Sequence, residues 1–280
     1  MSPLIVYNSD MSELLGTDFL YRRFEAPSPR AVVLLVHGLG AHSARWEFLA
    51  GFLSARGYAS YALELRGFGR TPEQPRGHVD SFRVYDRDIL SLREFAGREH
   101  PAKKIFLLGE SLGGLIAFNL AGRNPAPFAG AVLISPSFGN GMKFPLSSYA
   151  TLVTHVLFKP KKTIPVPFTS AMCTRDEAYR AVMDGNPDEL REASLKLLMG
   201  TLGEQRAAKR FAGTLAVPML FLVAGRDKLV DARAERRMFE ALAAGDKTIR
   251  EYPEMFHALS IELGREAVFQ DIAAWLDARV

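Results

Sequence analysis

The decisive stretch of this sequence is Ile105-Phe106-Leu107-Leu108-Gly109-Glu110-Ser111-Leu112-Gly113. Its four leading apolar residues predict a buried strand, and the apolar pattern that starts at Leu112 predicts a helix. A Gly-x-Ser-x-Gly pattern between a strand and a helix is typical of a sharp turn, because the glycines let the chain bend tightly and hold a strained serine with its hydroxyl exposed. Ser111 is therefore the candidate nucleophile.

Two later residues supply the groups that a serine nucleophile requires, since the hydroxyl needs a general base and the base needs an orienting acid. In this context the acid and the base follow the serine in that order, each after a later strand. Asp227 follows the apolar run 218–223, and His257 follows the strand candidate 248–252. Because the carboxyl ends of parallel strands share one edge of a sheet, we expect Ser111, Asp227 and His257 to meet there.

Each of these partners has competitors elsewhere in the chain. Asp231 stands just beyond Asp227, but it opens a helical apolar pattern, so an N-cap is its simpler role. His100 precedes a proline at a predicted helix end, which favours capping. The remaining histidines lie beside glycine-rich segments or in an apolar stretch and are weaker candidates for the base: His37, His42, His78 and His155.

A second motif, His37-Gly38-Leu39-Gly40, follows the most apolar run of the chain, 31–36. Attack by Ser111 would put negative charge on the carbonyl oxygen of the substrate, and backbone N–H groups aimed at that oxygen stabilise it. The N–H groups of Leu112, directly after the nucleophile, and of Leu39 are the predicted donors. The alternative is an ordinary glycine-rich turn between a strand and a helix.

These motifs resemble those of the serine hydrolases of the α/β-hydrolase superfamily, and within it the monoacylglycerol lipase and lysophospholipase group. The matching segments span nearly the whole chain: 37–43, 66–69, 76–82, 109–114, 134–136, 225–231 and His257. The resemblance implies Ser111, Asp227 and His257 as a catalytic triad, with the Leu39 and Leu112 N–H groups as the oxyanion hole. It also implies an α/β-hydrolase fold, a mostly parallel eight-stranded sheet flanked by helices, with a helical cap insert.

Three positions depart from the pattern of that group. Glu64 stands where aspartate is common, Glu110 where histidine or glutamine is common, and Ala41 where glutamate is common. None of these changes removes a group that the chemistry needs. They therefore concern the substrate rather than the reaction.

The composition favours a cytoplasmic enzyme. A length of 280 residues, with 48% hydrophobic and 24% charged residues, fits one large α/β domain. The single cysteine, Cys173, cannot form an internal disulfide. The net charge of +4 is mild and no strongly basic run is present, which argues against a nucleic acid partner. The sequence predicts neither a signal peptide nor a bilayer-spanning segment, and it leaves the oligomeric state open.

Strand and helix alternate along most of the chain, which implies a mostly parallel sheet covered on both faces. A helix is predicted from near Asp80 to Pro101. The predicted strands are 4–7, 19–24, 31–36, 58–64, 104–108, 130–134, 218–223 and 247–252.

The alternation stops between about Phe138 and Arg206. This break predicts a core domain of residues 1–137 and 207–280 and a cap, or lid, of residues 138–206. Inside the cap, Asn186-Pro187-Asp188-Glu189 is typical of a helix start that continues to Thr201.

The apolar residues of the cap either line an acyl pocket above the triad or pack the cap onto the core. The candidate substrate-binding residues are Gly38, Phe138, Phe144 and Phe158. A small basic cluster in the cap is either a solvated surface or a weak attraction to anionic lipid surfaces; it consists of Lys159, Lys161 and Lys162.

Together these residues predict a serine hydrolase without metal or cofactor, acting on small-molecule acyl esters through an acyl-enzyme on Ser111. The resemblance favours monoacylglycerols or similar single-chain lipid esters. The alternatives are a small-ester or cinnamoyl-type carboxylesterase, an acyltransferase that uses the same triad, and a ligand receptor that keeps the fold without turning over ester.

Overall fold

A computed structural model describes residues 11–13, 19–141 and 159–280. The strands in these ranges are β1 (Met11–Glu13), β2 (Leu20–Phe24), β3 (Ala31–Val36), β4 (Tyr58–Leu63), β5 (Ile105–Glu110), β6 (Gly130–Ile134), β7 (Thr163–Pro165), β8 (Glu192–Ser194), β9 (Met219–Ala224) and β10 (Lys247–Tyr252). The helices are α1 (Glu47–Ser54), α2 (Arg83–Glu99), α3 (Leu112–Arg123), α4 (Ser170–Cys173), α5 (Glu177–Gly185), α6 (Leu195–Ala212), α7 (Ala232–Ala241) and α8 (Arg265–Asp277). Short 3₁₀ turns cover Ser43–Trp46 and Leu259–Ile261.

One eight-stranded sheet organises the fold, in the order β1-β2-β4-β3-β5-β6-β9-β10. Strand β2 pairs antiparallel with β1 and β4, and the remaining neighbours are parallel. The predicted α/β class and mostly parallel eight-stranded sheet are confirmed. The strand predicted at 4–7 lies outside the described residues.

Strand β3 shows why the central strands have unbroken apolar sequences. All six of its residues are buried, and they alternate between the two faces of the sheet. Val32, Leu34 and Val36 join the core under α2, α3 and α6. Their neighbours along the strand belong to the core under α1 and α8 on the other face. The predicted helix 80–101 is α2, which buries an apolar face formed by Tyr85, Ile89, Leu92 and Ala96.

The helix start predicted at 186–189 is wrong. Residues Glu192–Ser194 form strand β8, paired antiparallel with β7, and α6 begins only after them. The cap of α6 is Ser194, whose Oγ accepts a hydrogen bond from the N–H of Leu197 at 3.1 Å. Asn186 instead closes a local turn, in which its Oδ1 accepts from the N–H of Asp188 at 2.9 Å.

Tertiary contacts explain why this segment is not helical. Glu189 turns inward and forms a buried two-point ion pair with Arg45, with Nε–Oε1 at 2.6 Å and Nη2–Oε2 at 2.5 Å. The N–H of Leu190 donates to the carbonyl of Gly40 at 2.8 Å. A helix-start signal contributes only about 1 kcal/mol, so these contacts with the loop after β3 outweigh it.

The segment between β6 and β9 leaves the main sheet and carries the β7–β8 pair, α4, α5 and α6. Helix α6 crosses residue 206 and packs along α3, where Asn119 Nδ2 donates to the Glu204 carbonyl at 2.9 Å. The predicted cap limits of 138 and 206 stay a prediction, and the second limit falls inside this helix. Within the described ranges, we find no helix with the length and apolar character needed to cross a membrane.

Candidate active site

The turn between β5 and α3 holds Ser111 in an unusual backbone conformation. Its φ of +57° and ψ of −117° are rarely adopted by residues other than glycine. Two backbone hydrogen bonds fix it there: the Ser111 N–H donates to Ile134 O at 2.9 Å, and the Ser111 carbonyl accepts from the Ser137 N–H at 3.0 Å. The serine is therefore held by β6 and by the loop that follows β6.

Both glycines of the motif are required by close backbone contacts. A Cβ atom on Gly109 would overlap the carbonyl of Gly113, and a Cβ on Gly113 would overlap the carbonyl of Val36. These overlaps involve main-chain atoms, which cannot move aside as a side chain can. The first turn of α3 therefore lies directly against β3 and β5, and this packing brings Ser111 to the loop after β3.

Asp227 and His257 lie together after β9 and β10. His257 Nδ1–H donates to Asp227 Oδ2 at 2.7 Å, and the carboxylate is fully buried. The other oxygen, Asp227 Oδ1, accepts from the N–H groups of Leu229 at 2.7 Å and Val230 at 2.9 Å. Three hydrogen bonds thus fix the carboxylate and, through it, the imidazole ring.

The competitor Asp231 has the capping contact expected of it. It is the N-cap of α7, and its Oδ1 accepts from the Arg233 N–H at 3.0 Å. The structure brings Asp227, and not Asp231, to His257.

Opposing effects act on the imidazole. Burial alone lowers the pKa of His257, but the charge and hydrogen bond of Asp227, and then the charge of Glu110, raise it above the ordinary value, against a smaller opposing effect of Arg45. In this environment the ring binds a proton readily. The same neighbouring groups stabilise the imidazolium form that a reaction would create.

Ser111 and His257 line one cavity of about 220 Å³ at the carboxyl edge of the sheet. Gly38, Leu39 and Leu112 line the same cavity, so most of the predicted site residues come together. Further walls, mostly apolar, come from the insert and from the loop after β9: Ile164, Pro165, Val166, Pro167, Phe168, Cys173, Leu198, Thr201, Leu202, Leu229 and Val230.

The predicted pocket residue Phe138 has a different position. Its ring packs in the core against Phe118, with ring centroids 4.9 Å apart, and against Phe221 at 5.9 Å. Its chain neighbours Ser137 and Asn140 line the cavity, whereas Phe138 does not. The other two aromatic candidates, Phe144 and Phe158, lie outside the described residues.

Comparison with known proteins supplies the family. The sequence profile described as serine aminopeptidase, S33, matches residues 27–264. The chain belongs to this family. It is similar to the monoglyceride lipase of Homo sapiens, with 30% identity over 99% of this chain and 94% of the lipase. It is also similar to the monoacylglycerol lipase of Mycolicibacterium smegmatis, with 29% identity over 89% of this chain and 88% of that protein.

A solved structure also resembles this chain. The crystal structure of the monoacylglycerol lipase of Paleococcus ferrophilus matches with a TM-score of 0.86 at 29% identity, covering 94% of this chain and 100% of that chain. The resemblance to the monoacylglycerol lipase group and the α/β-hydrolase fold are thereby confirmed.

Two of the positions that depart from the family pattern are buried acceptors. Glu110 accepts from the Ser260 N–H at 3.1 Å and from the Ser260 hydroxyl at 2.9 Å, and burial raises its pKa. Glu64 accepts from the N–H and hydroxyl of Ser43, and burial raises its pKa as well. Glu110 also lines the cavity, so this chain has a second acidic side chain at the site.

His37 supports the loop that carries Gly38 and Leu39 and is not a competing base. Its Nδ1–H donates to the Gly38 carbonyl at 2.9 Å, and its Nε2 accepts from the Leu65 N–H at 3.0 Å. Burial lowers the pKa of His37 to about 3, so the ring is neutral. A side chain at position 38 would crowd the nucleophile, because a Cβ there would lie 3.0 Å from Ser111 Cβ.

The other described histidines are occupied elsewhere. His100 ends α2 and bonds through Nε2 to the Tyr61 hydroxyl at 2.8 Å. His78 Nδ1 bonds to Ser194 Oγ at 2.8 Å, and His42 Nε2 accepts from Asn186 Nδ2 at 3.1 Å. His155 lies outside the described residues. The lysines of the basic cluster at 159, 161 and 162 are exposed.

Two buried groups near the site gave no signal in the sequence. Arg45 lines the cavity, and its ion pair with Glu189 holds the pKa of Glu189 at about 2, although burial alone would raise it. Glu235 is buried on α7, and neither carboxylate oxygen has a hydrogen-bond partner in the described part of the chain. Burial first, and then the charge of Asp227, raise the pKa of Glu235 well above its usual value, which favours a neutral carboxyl beside the acid.

Proposed function

We propose that this chain is a serine ester hydrolase that cleaves monoacylglycerols or similar single-chain lipid esters through an acyl-enzyme on Ser111. One observation carries the proposal. The buried Asp227–His257 hydrogen bond of 2.7 Å opens onto the cavity that holds Ser111, and that cavity has mostly apolar walls. This arrangement provides a nucleophile, a base and a site for an acyl chain at one place.

In the proposed reaction, Ser111 Oγ attacks the ester carbonyl carbon while His257 Nε2 takes the hydroxyl proton. Asp227 keeps the ring in the tautomer with the proton on Nδ1 and stabilises the imidazolium. The N–H groups of Leu39 and Leu112 stabilise the charge on the carbonyl oxygen. His257 then gives its proton to the leaving alkoxide, which departs as the alcohol, glycerol for a monoacylglycerol.

The second half of the reaction repeats these roles with water. His257 takes a proton from water as the water oxygen attacks the acyl-enzyme. Collapse of the intermediate releases the carboxylic acid and returns the proton to Ser111 Oγ. None of these steps requires a metal or a cofactor.

The choice of substrate is supported by the relatives named as monoglyceride and monoacylglycerol lipases and by the apolar side chains around the cavity. Residues 138–206 act as the cap, and those of its apolar side chains that line the cavity, such as Ile164, Val166 and Leu198, contact the acyl chain. The exposed lysines of the basic cluster make a weak contact with lipid surfaces in this proposal. We also propose a cytoplasmic location, in line with the single cysteine of the sequence, Cys173, which is buried and unpaired.

Catalytic efficiency should rise with acyl length. Each methylene buried against the apolar walls contributes up to about 0.8 kcal/mol, or about fourfold in kcat/KM where the transition state retains the contact. A series of p-nitrophenyl esters and monoacylglycerols from acetate upward, each kept below its micelle-forming concentration, measures this dependence. The Ser111→Ala protein corrects each rate for hydrolysis without the nucleophile.

Two outcomes of this series would replace the proposal with one of its alternatives. Acetate esters that outrun octanoate esters, with aromatic acyl esters faster than both, would indicate a small-ester or cinnamoyl-type esterase. Formation of a new ester when an alcohol acceptor is added, at the expense of free acid, would indicate an acyltransferase.

Activity should fall on the acid side of a midpoint that lies above about pH 6.5, the ordinary pKa of histidine. The reason is that His257 must be neutral to take the serine proton, and Asp227 and Glu110 raise its pKa against the effects of burial and Arg45. The measurement is kcat/KM for p-nitrophenyl butyrate against pH, followed at the isosbestic wavelength of nitrophenol. A rate that stays constant from about pH 5 to pH 8 contradicts a histidine base.

A further inference from the structure

The chain segment that carries His257 is held on both sides by contacts that lead to the insert. After the histidine, the Ala258 N–H donates to the carbonyl of Cys173 at 2.9 Å. Before it, the Phe256 N–H donates to Glu262 Oε2 at 2.9 Å. The first contact is a direct bond to the end of α4, and the second leads to the insert through a side chain.

Glu262 is fully buried and joins the two segments. On the insert side, its two oxygens accept from the Arg175 N–H at 3.1 and 3.2 Å, and the Thr174 hydroxyl lies 3.4 Å from Oε1. The Arg175 guanidinium forms an ion pair with the same oxygen at 3.4 Å. Within the segment that follows His257, Oε1 also accepts from the N–H of the next residue, Leu263, at 2.6 Å.

We infer that Glu262 is a positioning residue for His257, which ties the backbone next to the base to the Thr174–Arg175 turn of the insert. This inference rests on the proposed function, since it assigns Glu262 a role through the histidine. The imidazole must keep its bond to Asp227 and reach Ser111 at the same time. An error of about 1 Å in such an arrangement can cost about a hundredfold in rate.

The arrangement also links substrate binding to the base. Cys173 lines the cavity beside His257 and Ala258, and its carbonyl is the acceptor that holds Ala258. A shift of the insert at the end of α4 would therefore move the backbone at Ala258, directly after the histidine. Glu262 would transmit the same shift to the backbone at Phe256, directly before it.

The test is Glu262→Gln. A glutamine keeps the shape but replaces one accepting oxygen by an NH₂ group. At the Oε2 position that group faces the N–H of Phe256, and at the Oε1 position it faces the N–H groups of Arg175 and Leu263. We expect kcat on a soluble short-chain ester to fall about 10- to 100-fold, with KM within about twofold of the wild type. The rate of labelling by a fluorophosphonate should fall in parallel, because it uses the same serine and base.

A matched control exists at the same junction. Asp176 Oδ2 accepts from Arg265 Nη1 at 3.1 Å, so it also joins the insert to the segment after His257, but it has no bond to the backbone beside the histidine. Asp176→Asn removes one negative charge, as Glu262→Gln does, and asparagine still caps α5 at the Tyr179 N–H. We expect this variant to keep kcat within about twofold of the wild type.

The outcomes separate the inference from the proposed function. A wild type that hydrolyses ester no faster than Ser111→Ala refutes the proposed function. An active wild type with an equally active Glu262→Gln variant, or an equal kcat loss in Asp176→Asn, overturns the positioning role alone. If Glu262→Gln does not fold, Glu262→Asp keeps the charge but withdraws the carboxylate by one methylene, so it cannot reach Phe256 and Arg175 together. A retained kcat in that variant also overturns the inference.

Discussion

Replacing Ser111 by alanine should reduce ester turnover by roughly 10⁴- to 10⁶-fold, because the covalent route through the acyl-enzyme would be lost. The expected residual activity comes from binding and from the N–H groups of Leu39 and Leu112. The variant should fold, since the hydrogen bonds that hold this turn use the Ser111 backbone and not its hydroxyl. Turnover of monoacylglycerol by the purified variant, with its fold verified by circular dichroism, is the measurement.

The serine and the histidine act as a unit, so their losses should not add. His257→Ala alone should cost about as much as Ser111→Ala, and the double variant should be no slower than either single variant. Near-normal turnover by Ser111→Ala, purified free of host esterases, would remove the serine from the mechanism. Losses that multiply in the double variant would show that the two side chains act independently.

Asp227→Asn should slow turnover by about 10⁴-fold and leave the fold intact. The amide oxygen can still accept from the Leu229 and Val230 N–H groups, as Asp227 Oδ1 does. Its NH₂ group would then face His257 Nδ1, which forces the ring into the tautomer with the proton on Nε2. That tautomer cannot take the proton of Ser111.

Asp231→Asn is the control for this prediction, because it makes the same chemical change only four positions along the chain. Asparagine caps a helix about as well as aspartate, so the N-terminus of α7 and the turnover rate should both be preserved. The comparison requires kcat/KM and the midpoint of thermal unfolding for both variants. A larger loss of kcat/KM in Asp231→Asn than in Asp227→Asn would reverse the two assignments.

The sequence was sufficient where local pattern and tertiary environment agree. The run 31–36 is apolar throughout because both faces of β3 are covered, so its bounds could be read directly. The turn at Ser111 is encoded by two glycines that contact backbone atoms. Asp227 and His257 were identified because each follows a strand of the parallel part of the sheet. Their catalytic roles stay predictions until the variants above are measured.

The sequence was insufficient where contacts with residues far away along the chain determine the local structure. Asn186-Pro187-Asp188-Glu189 has the local signal of a helix start, but Arg45, far away along the chain, draws Glu189 inward. Phe138 is apolar and adjacent to a motif, and only the rings of Phe118 and Phe221 reveal that it belongs to the core. Strand β5 continues to Glu110. In the sequence this charged residue looks like part of the turn, but in the sheet it pairs with Ile134, the last residue of β6.

The order of strands at one edge of the sheet has a consequence for biosynthesis. Strand β9 pairs with β6, and β10 pairs with β9, so the last two strands add to this edge in the order in which the ribosome makes them. A nascent chain made as far as Ser137 already contains Ser111 and the two residues, Ile134 and Ser137, whose backbone groups hold it. It still lacks Asp227 and His257, which follow β9 and β10. On the proposed mechanism, the Ser111 hydroxyl therefore becomes reactive only after the segments that carry Asp227 and His257 have been translated and docked.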